Sequence, residues 1–424
     1  MSKKLYFLLI ILCSLTVAGQ QRDTLKLTIT KIEKKLVPDT VYSIQSRIDT
    51  IAMQPIKADT SKMVRDINPQ DLAKSKYDVK ILGSVRVNSY YDFTGMESTE
   101  GFKPYEIPVG KEKIPGLSGV YIGARQTRFG LEGTGNTKVG SIKTYIEVDF
   151  ASYASSLLRL RHAFAEWNFL KMGYTWTTFM DNAVMPTTVE FEGPNSSMSK
   201  RHGLVRFEKK LASQNIFGVS IESPTVDYYN PNDSVIDNAS NQRNFDLAAR
   251  YKYFNRWGHL QFANILRKID FLQNNRMETQ IGWGILVSTS VNINQKNKIN
   301  AQYSVGNGIA YYYIGFTNKQ LDAVYNPTSQ TMDLKAIRGG FVSYSYTYNP
   351  QLIFSATAGL SKIKNEEFEP SDAFKSSQYY AVNGFYNPIE TISLGMELTT
   401  GSRKNYNDQK GNASRISLLA KFDF

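Results

Sequence analysis

The chain has little of what enzymes and metal proteins usually rely on. It holds one cysteine, Cys13, and three histidines, His162, His202 and His259, in 424 residues. Cys13 falls inside an N-terminal leader, so the mature chain has no thiol for a disulfide, a thiolate metal site or a Cys nucleophile. No Gly-x-Ser-x-Gly elbow, His-Glu-x-x-His pair, zinc-ligand spacing or EF-hand loop occurs. Hydrolysis would need a placed Ser with His, or paired carboxylates. Each histidine is therefore read as a lumen or interface residue, and no cofactor and no metal is expected. Beyond the leader, no apolar run reaches the roughly 18 residues a membrane-spanning helix requires. Mean hydropathy is −0.35. By that average the chain would pass for a soluble protein, but so does a transmembrane barrel, whose lumen-facing polar residues dilute every strand.

The leader spans 1–19. Lys3 and Lys4 precede an apolar run from Leu5 to Leu15, and Val17-Ala18-Gly19 offers small residues for cleavage before Gln20. Leu12 stands where a lipoprotein signal carries a small residue, which argues against lipidation of Cys13. The net charge is +12, or +10 without Lys3 and Lys4. Its Lys and Arg residues are spread rather than clustered. In an exported protein this suits anionic headgroups or anionic solutes, and not nucleic acid.

What the chain does have is aromatics and alternation. It contains 26 Tyr and 23 Phe, a level that suits two interfacial girdles and equally a β-rich secreted protein. Residues 20–79 are rich in Lys, Asp, Thr and Ser, with Pro38, Pro55 and Pro69 as breakers. Within them Ile29, Ile32 and Leu36, then Val41, Ile44, Ile48 and Ile51, make a heptad-like stripe. This reads as an N-terminal periplasmic extension, either a short coiled coil or a flexible segment. From Lys80 the pattern changes to period two. Val85, Val87, Tyr91 and Phe93 alternate with Arg86, Asn88, Tyr90 and Asp92, and the same holds for Ile142 to Phe150, Phe245 to Tyr253 and Arg415 to Phe424.

A β-sandwich alternates too, but its strands average roughly 5 to 6 residues, whereas tilted membrane strands need about 9 to 11. Many segments here meet the longer figure. About 16 are predicted: 80–94, 119–133, 138–150, 157–168, 169–176, 201–210, 214–223, 243–254, 258–270, 277–292, 296–310, 332–348, 351–363, 374–387, 389–403 and 412–424. Short turns near 134–137, 211–213, 255–257, 293–295 and 349–350 alternate with longer loops at 95–118, 177–200, 224–242, 311–331, 364–373 and 404–411. Turns on one side and loops on the other are expected of a bacterial outer-membrane barrel. The fold class is thus all-β: a transmembrane antiparallel β-barrel over 80–424, closed by the strand ending at Phe424. A terminal aromatic there resembles the signal read by the barrel assembly machinery.

The stretch from Ala124 to Phe207 carries a closer likeness. Ala124-Arg125-Gln126-Thr127-Arg128-Phe129-Gly130 is followed by Glu147-Val148-Asp149-Phe150 and Arg159-Leu160-Arg161-His162-Ala163-Phe164. Then come Gly173 to Asp181, the loop from Pro186 to Gly193, and Arg201 to Phe207. In this order they resemble the DcaP-like porins. The resemblance implies a homotrimer of 16-stranded barrels, an outer-membrane lipid environment, a loop folded into each lumen, and passive diffusion of small hydrophilic solutes. Some relatives favour anions.

A barrel of this size leaves an aqueous lumen, and diffusion needs a constriction of suitable width and field. The inward candidates are Arg125, Arg128, Arg159, Arg161, Arg201 and Arg206, faced by Asp149, Asp181, Glu190 and Glu192. Arg rows opposed by loop carboxylates would make a transverse field; the plainer alternative is that they pair and only brace the wall. Arg125 and Arg128, three residues apart, cannot both face inward without a bulge or register change. The loop Thr177 to Lys200 is expected to form the constriction, with Phe179, Met180, Met185, Val189 and Phe191 packing it against the inner wall. The alternatives are an ordinary extracellular loop, and a barrel with a blocked lumen that binds a ligand or plays a structural part.

Overall fold

Alternation at period two gives each strand one apolar and one polar face, and closing sixteen such strands leaves no edge unpaired. In the computed structural model the described residues are 30–32, 46–48, 77–96, 101–151, 157–228, 242–273 and 276–424. The leader and nearly all of the 20–79 extension lie outside them. Of the heptad-like stripe, Ile32 and Ile48 belong to Thr30–Ile32 and Ser46–Ile48, two short strands that pair antiparallel.

The barrel runs in chain order as β1 (Tyr77–Asp92), β2 (Gly119–Gly123 and Arg128–Thr137), β3 (Gly140–Asp149), β4 (Arg159–Trp167), β5 (Leu170–Trp176), β6 (Arg201–Ala212), β7 (Asn215–Glu222), β8 (Asp246–Asn255), β9 (Gly258–Gln273), β10 (Arg276–Asn292), β11 (Asn297–Asn307), β12 (Ala336–Asn349), β13 (Leu352–Ile363), β14 (Phe374–Ile389), β15 (Ile392–Asn405) and β16 (Lys410–Asp423). Each pairs with its neighbours in sequence, and β16 returns to β1 to close the ring. The count of sixteen is as the sequence predicts.

Closure is finished by the last residue. Phe424 and Gly83 exchange both backbone hydrogen bonds, each 3.0 Å. A Cβ on Gly83 would lie 2.5 Å from the Phe424 ring, so only glycine admits the aromatic at this seam.

Polarity is inverted relative to a soluble protein. Val342, Leu360, Val382, Met396 and Leu398 are exposed on the outer face, while Gln261, Ser288, Gln302, Thr357, Glu397 and Thr399 are buried inside. Left in water, such a band would cost roughly 1.5–3 kcal/mol per large side chain, so it calls for an apolar surrounding.

Two differences from the predicted strands matter. The 119–133 strand breaks at 124–127, where Thr127 N–H bonds to the Ala124 carbonyl at 3.0 Å. Opposite the break, the Arg86 N–H turns to Thr127 Oγ1 at 3.1 Å. The 332–348 strand begins later, at Ala336, because Thr331–Leu334 pairs with Ala323–Asn326 as a hairpin inside the preceding loop. Short turns and both ends of the barrel lie on one side. The other side carries longer loops, except between β9 and β10, where residues 274–275 intervene, and between β15 and β16, where the strands take up the ends of the predicted 404–411 loop and leave only 406–409.

Candidate pore constriction

A loop folded into a lumen is held there where its buried backbone and polar groups find partners on the wall. The loop between β5 and β6 does so over most of the ring. At its root Glu222 on β7 accepts from Thr177 Oγ1 (2.5 Å) and the Thr178 N–H (2.7 Å), and Arg206 Nε donates to Thr178 Oγ1 (2.7 Å). Next, Asp181 accepts from Lys252 Nζ (2.7 Å), Ser288 Oγ (2.8 Å) and the Ala183 N–H (3.2 Å), and lies 2.7 Å from His259 Nε2. Burial alone would raise this carboxyl, but the contacts with His259 and Lys252 outweigh it and hold Asp181 well below the usual range.

Farther on, the Thr187 carbonyl accepts from Asn383 Nδ2 at 3.0 Å. Glu397 accepts from the N–H groups of Val189 and Glu190, both at 3.1 Å. The Val189 carbonyl accepts from Arg86 Nη2 at 2.6 Å and Asn88 Nδ2 at 3.1 Å. Asn195 Nδ2 donates to Ser377 Oγ at 2.6 Å, and Ser196 Oγ to the Gly340 carbonyl at 2.8 Å. The loop is therefore tied to β7–β10, β12, β14, β15 and β1. Phe179 and Met180 sink into a buried cluster with Tyr312, Tyr313 and Phe316 of the β11–β12 loop.

The remaining arc, β2 to β4, carries three arginines, and Phe191 of the loop points at them and at Arg86 on β1. The guanidinium carbons of Arg86, Arg128, Arg159 and Arg161 lie 5.9, 5.8, 5.9 and 5.9 Å from its ring centroid. A register shift on β4 makes this possible. Glu147 pairs with His162 but Val148 pairs with Leu160, so Arg161 is a bulged extra residue and Arg159, Arg161 and His162 all turn inward.

Arg159 is bidentate on Asp149 (2.9 and 2.7 Å), and Arg161 spans Asp149 (2.8 Å) and Glu147 (2.5 Å). Among the described residues the Arg128 side chain makes no hydrogen bond or ion pair; its contact is the Phe191 ring. A cavity of about 200 Å³ opens beside it, lined among others by Arg86, Tyr145, Glu147, Lys421 and Asp423.

The predicted site residues thus separate. Arg128, Arg159, Arg161 and Asp149 come together. Arg125 stays on the turn that breaks β2, its Nε 3.4 Å from the Phe150 carbonyl. Arg201 stacks on Trp176, 4.6 Å from the ring centroid, and Arg206 braces the loop root. Asp181 anchors the loop on the opposite wall.

Glu190 and Glu192 face away from the arginines. Glu190 accepts from the Phe102 N–H (3.2 Å) and Tyr379 OH (3.2 Å), and Glu192 pairs with Lys103 (3.4 Å). The group opposing the arginines is a phenyl ring, and the carboxylates that meet them are their strand neighbours Glu147 and Asp149. Arg86 and Glu147 are members the sequence reading did not single out, though Arg86 stands on the polar face of the first strand.

Burial, with Glu397 and Glu192 nearby, pushes Glu190 up to about 8. A carboxyl raised in the folded tip favours its protonated form. The tip is therefore held fully at acid pH and loses hold as pH rises from about 4.5 to about 8. Single-channel noise should grow over that window, and Glu190→Gln should flatten it. Equal noise in both proteins at either end would refute the assignment.

Comparison with known proteins now bears on this geometry. The model of the DcaP outer membrane protein family matches residues 53–424. The chain belongs to that family. It is an outer-membrane channel protein, and the bacterial outer membrane is its location. The outer membrane channel DcaP of Acinetobacter baumannii is 23% identical, with a TM-score of 0.72 over 83% of this chain and 98% of that one. The anion-selective porin from Comamonas acidovorans is 11% identical, TM-score 0.56, over 82% and 100%. OmpF of Salmonella typhi, solved with daunomycin, is 14% identical, TM-score 0.52, over 82% and 98%. These likenesses speak for the fold. No curated protein matches the chain significantly.

Proposed function

We propose that this DcaP-family barrel is a passive-diffusion porin for small hydrophilic solutes, leaning towards anions, and that it works as a homotrimer. The narrow section lies between Phe191 and the wall of Arg86, Arg128, Arg159 and Arg161. The observation that carries this reading is Arg128, a guanidinium in the lumen with no ionic partner among the described residues. Four guanidiniums meet two carboxylates, Glu147 and Asp149, so the gap keeps a positive excess. A fixed charge in a narrow gap between low-dielectric protein walls acts at a lower effective dielectric than in bulk, which raises the local concentration of anions. No bond is made or broken in such a passage.

The test is electrical. In planar bilayers under a KCl gradient the reversal potential should report anion preference, and conductance should appear in steps of three. Arg128→Gln should lower the preference and Arg128→Glu should reverse it. A barrel with a blocked lumen would instead give no conductance and a saturable ligand.

A further inference from the structure

The outer face carries a feature that the pore does not use. Register aligns a row of side chains across five strands at the loop side of the barrel. Arg338 on β12 stands directly opposite Lys362 on β13. Lys362 faces Ser376 on β14, Ser376 faces Lys404 on β15, and Lys404 faces Lys410 on β16. These positions share the outward face with the exposed Val342, Leu360, Val382 and Leu398.

Like charges directly across a strand pair repel, so the row is unfavourable unless something anionic lies against it. Among the described residues one carboxylate reaches it, Asp408, at 2.9 Å from Lys404. Among the described residues the side chains of Arg338, Lys362 and Lys410 make no hydrogen bond or ion pair. At the far end Lys113 Nζ bonds to the Lys410 carbonyl at 3.2 Å, adding a further amine.

The height of the row matters as much as its charge. Leu352 opens the outward apolar face of β13 at its short-turn end, and Lys362 lies ten residues further along the same strand. At roughly 3.3 Å per residue and a tilt of about 40°, that is about 25 Å along the membrane normal. An apolar band is about 25 Å tall, so the row sits at the upper interface, where the outer leaflet presents its headgroups. Phosphate oxygens are strong partners for Arg and Lys in such a place.

We propose that this row is a docking surface for the phosphorylated glycolipid headgroup of the outer leaflet. One phosphate between Arg338 and Lys362, and the second against Lys404 and Lys410 about three strands away, would neutralise both like-charged pairs.

The test uses the full-length protein in non-ionic detergent. Binding of bisphosphorylated lipid A, its monophosphorylated form and phosphatidylglycerol is read by native mass spectrometry. Wild-type protein should hold the bisphosphorylated lipid best, and the triple variant Arg338→Gln/Lys362→Gln/Lys410→Gln should bind it at least tenfold more weakly. A control variant at the short-turn end, Lys209→Gln/Lys210→Gln/Arg256→Gln, should bind as wild type. Heat-modifiable migration and conductance check that each variant is folded. The proposal is overturned if the triple variant binds as wild type, if the control loses as much, or if phosphatidylglycerol binds equally well.

Discussion

Replacing Arg267 with methionine is expected to free two extracellular loops while the barrel stays closed. Arg267 on β9 is fully buried, and its guanidinium is the hub of the extracellular half of the lumen. Nε donates to Asp246 at 3.0 Å, Nη1 donates to the Gly308 carbonyl at 2.5 Å and lies 3.6 Å from Asp322, and Nη2 donates to the Thr225 carbonyl. Tyr312 covers it, its ring centroid 5.1 Å away, and gives its OH to Asp246 at 2.9 Å. Asp322 in turn accepts from the N–H groups of Tyr311 (2.9 Å) and Asp227 (3.0 Å). One cation therefore binds the strand wall to the β7–β8 and β11–β12 loops.

Removing one partner from a buried ion network costs roughly 3–5 kcal/mol, because the charges left behind have no solvent. Here two carboxyls would be left. Burial pushes Asp322 up to about 6 even with Arg267 beside it, and without Arg267 it would take a proton more readily still. Limited proteolysis in liposomes should cut the variant within 223–245 or 308–335, and acidification to about pH 5 should restore part of the protection. Adding Asp246→Asn and Asp322→Asn should restore more, since a neutral network carries no stranded charge. Loops that resist protease as well as wild type would show that Arg267 is not the hub.

Much of the barrel was legible in the sequence because it rests on a local rule. Period two tells the face of every residue on a strand, and a strand long enough to cross a bilayer repeats the rule many times. The site was harder to read, because it depends on what the rule does not contain. Arg161 and His162 are adjacent, so alternation puts them on opposite faces; the β4 bulge turns both inward, and only the cross-strand register reveals it. The need for a break near Arg125 and Arg128 was readable from their spacing, but not which of the two would keep the lumen.

Loop carboxylates were the least predictable. Glu190 and Glu192 bracket Phe191, so an extended tip that aims the ring at the arginines must aim both carboxyls elsewhere. Their partners, Phe102, Lys103 and Tyr379, are remote in the chain. The same distance hides the clamp itself, since Glu397 meets Val189 from 208 residues away.

Phe191 is where the largest change in conduction is expected. The tip is held through its backbone, by Glu397 on the amides and by Arg86 and Asn88 on the Val189 carbonyl. Phe191→Ala therefore removes the ring without releasing the loop. The four guanidiniums would then face water across a wider gap. Conductance should rise roughly twofold, since the narrowest section sets it. Anion preference should fall at the same time, because water entering the gap raises the effective dielectric around the fixed charges. Phe191→Leu separates two causes. A leucine fills most of the space but has no π-face, so near wild-type conductance would mean that volume narrows the pore. A rise as large as that of alanine would mean that the ring's attraction for the guanidiniums holds them in place. If alanine leaves conductance unchanged, the narrow section lies elsewhere, and Arg128 would lose its claim to set selectivity.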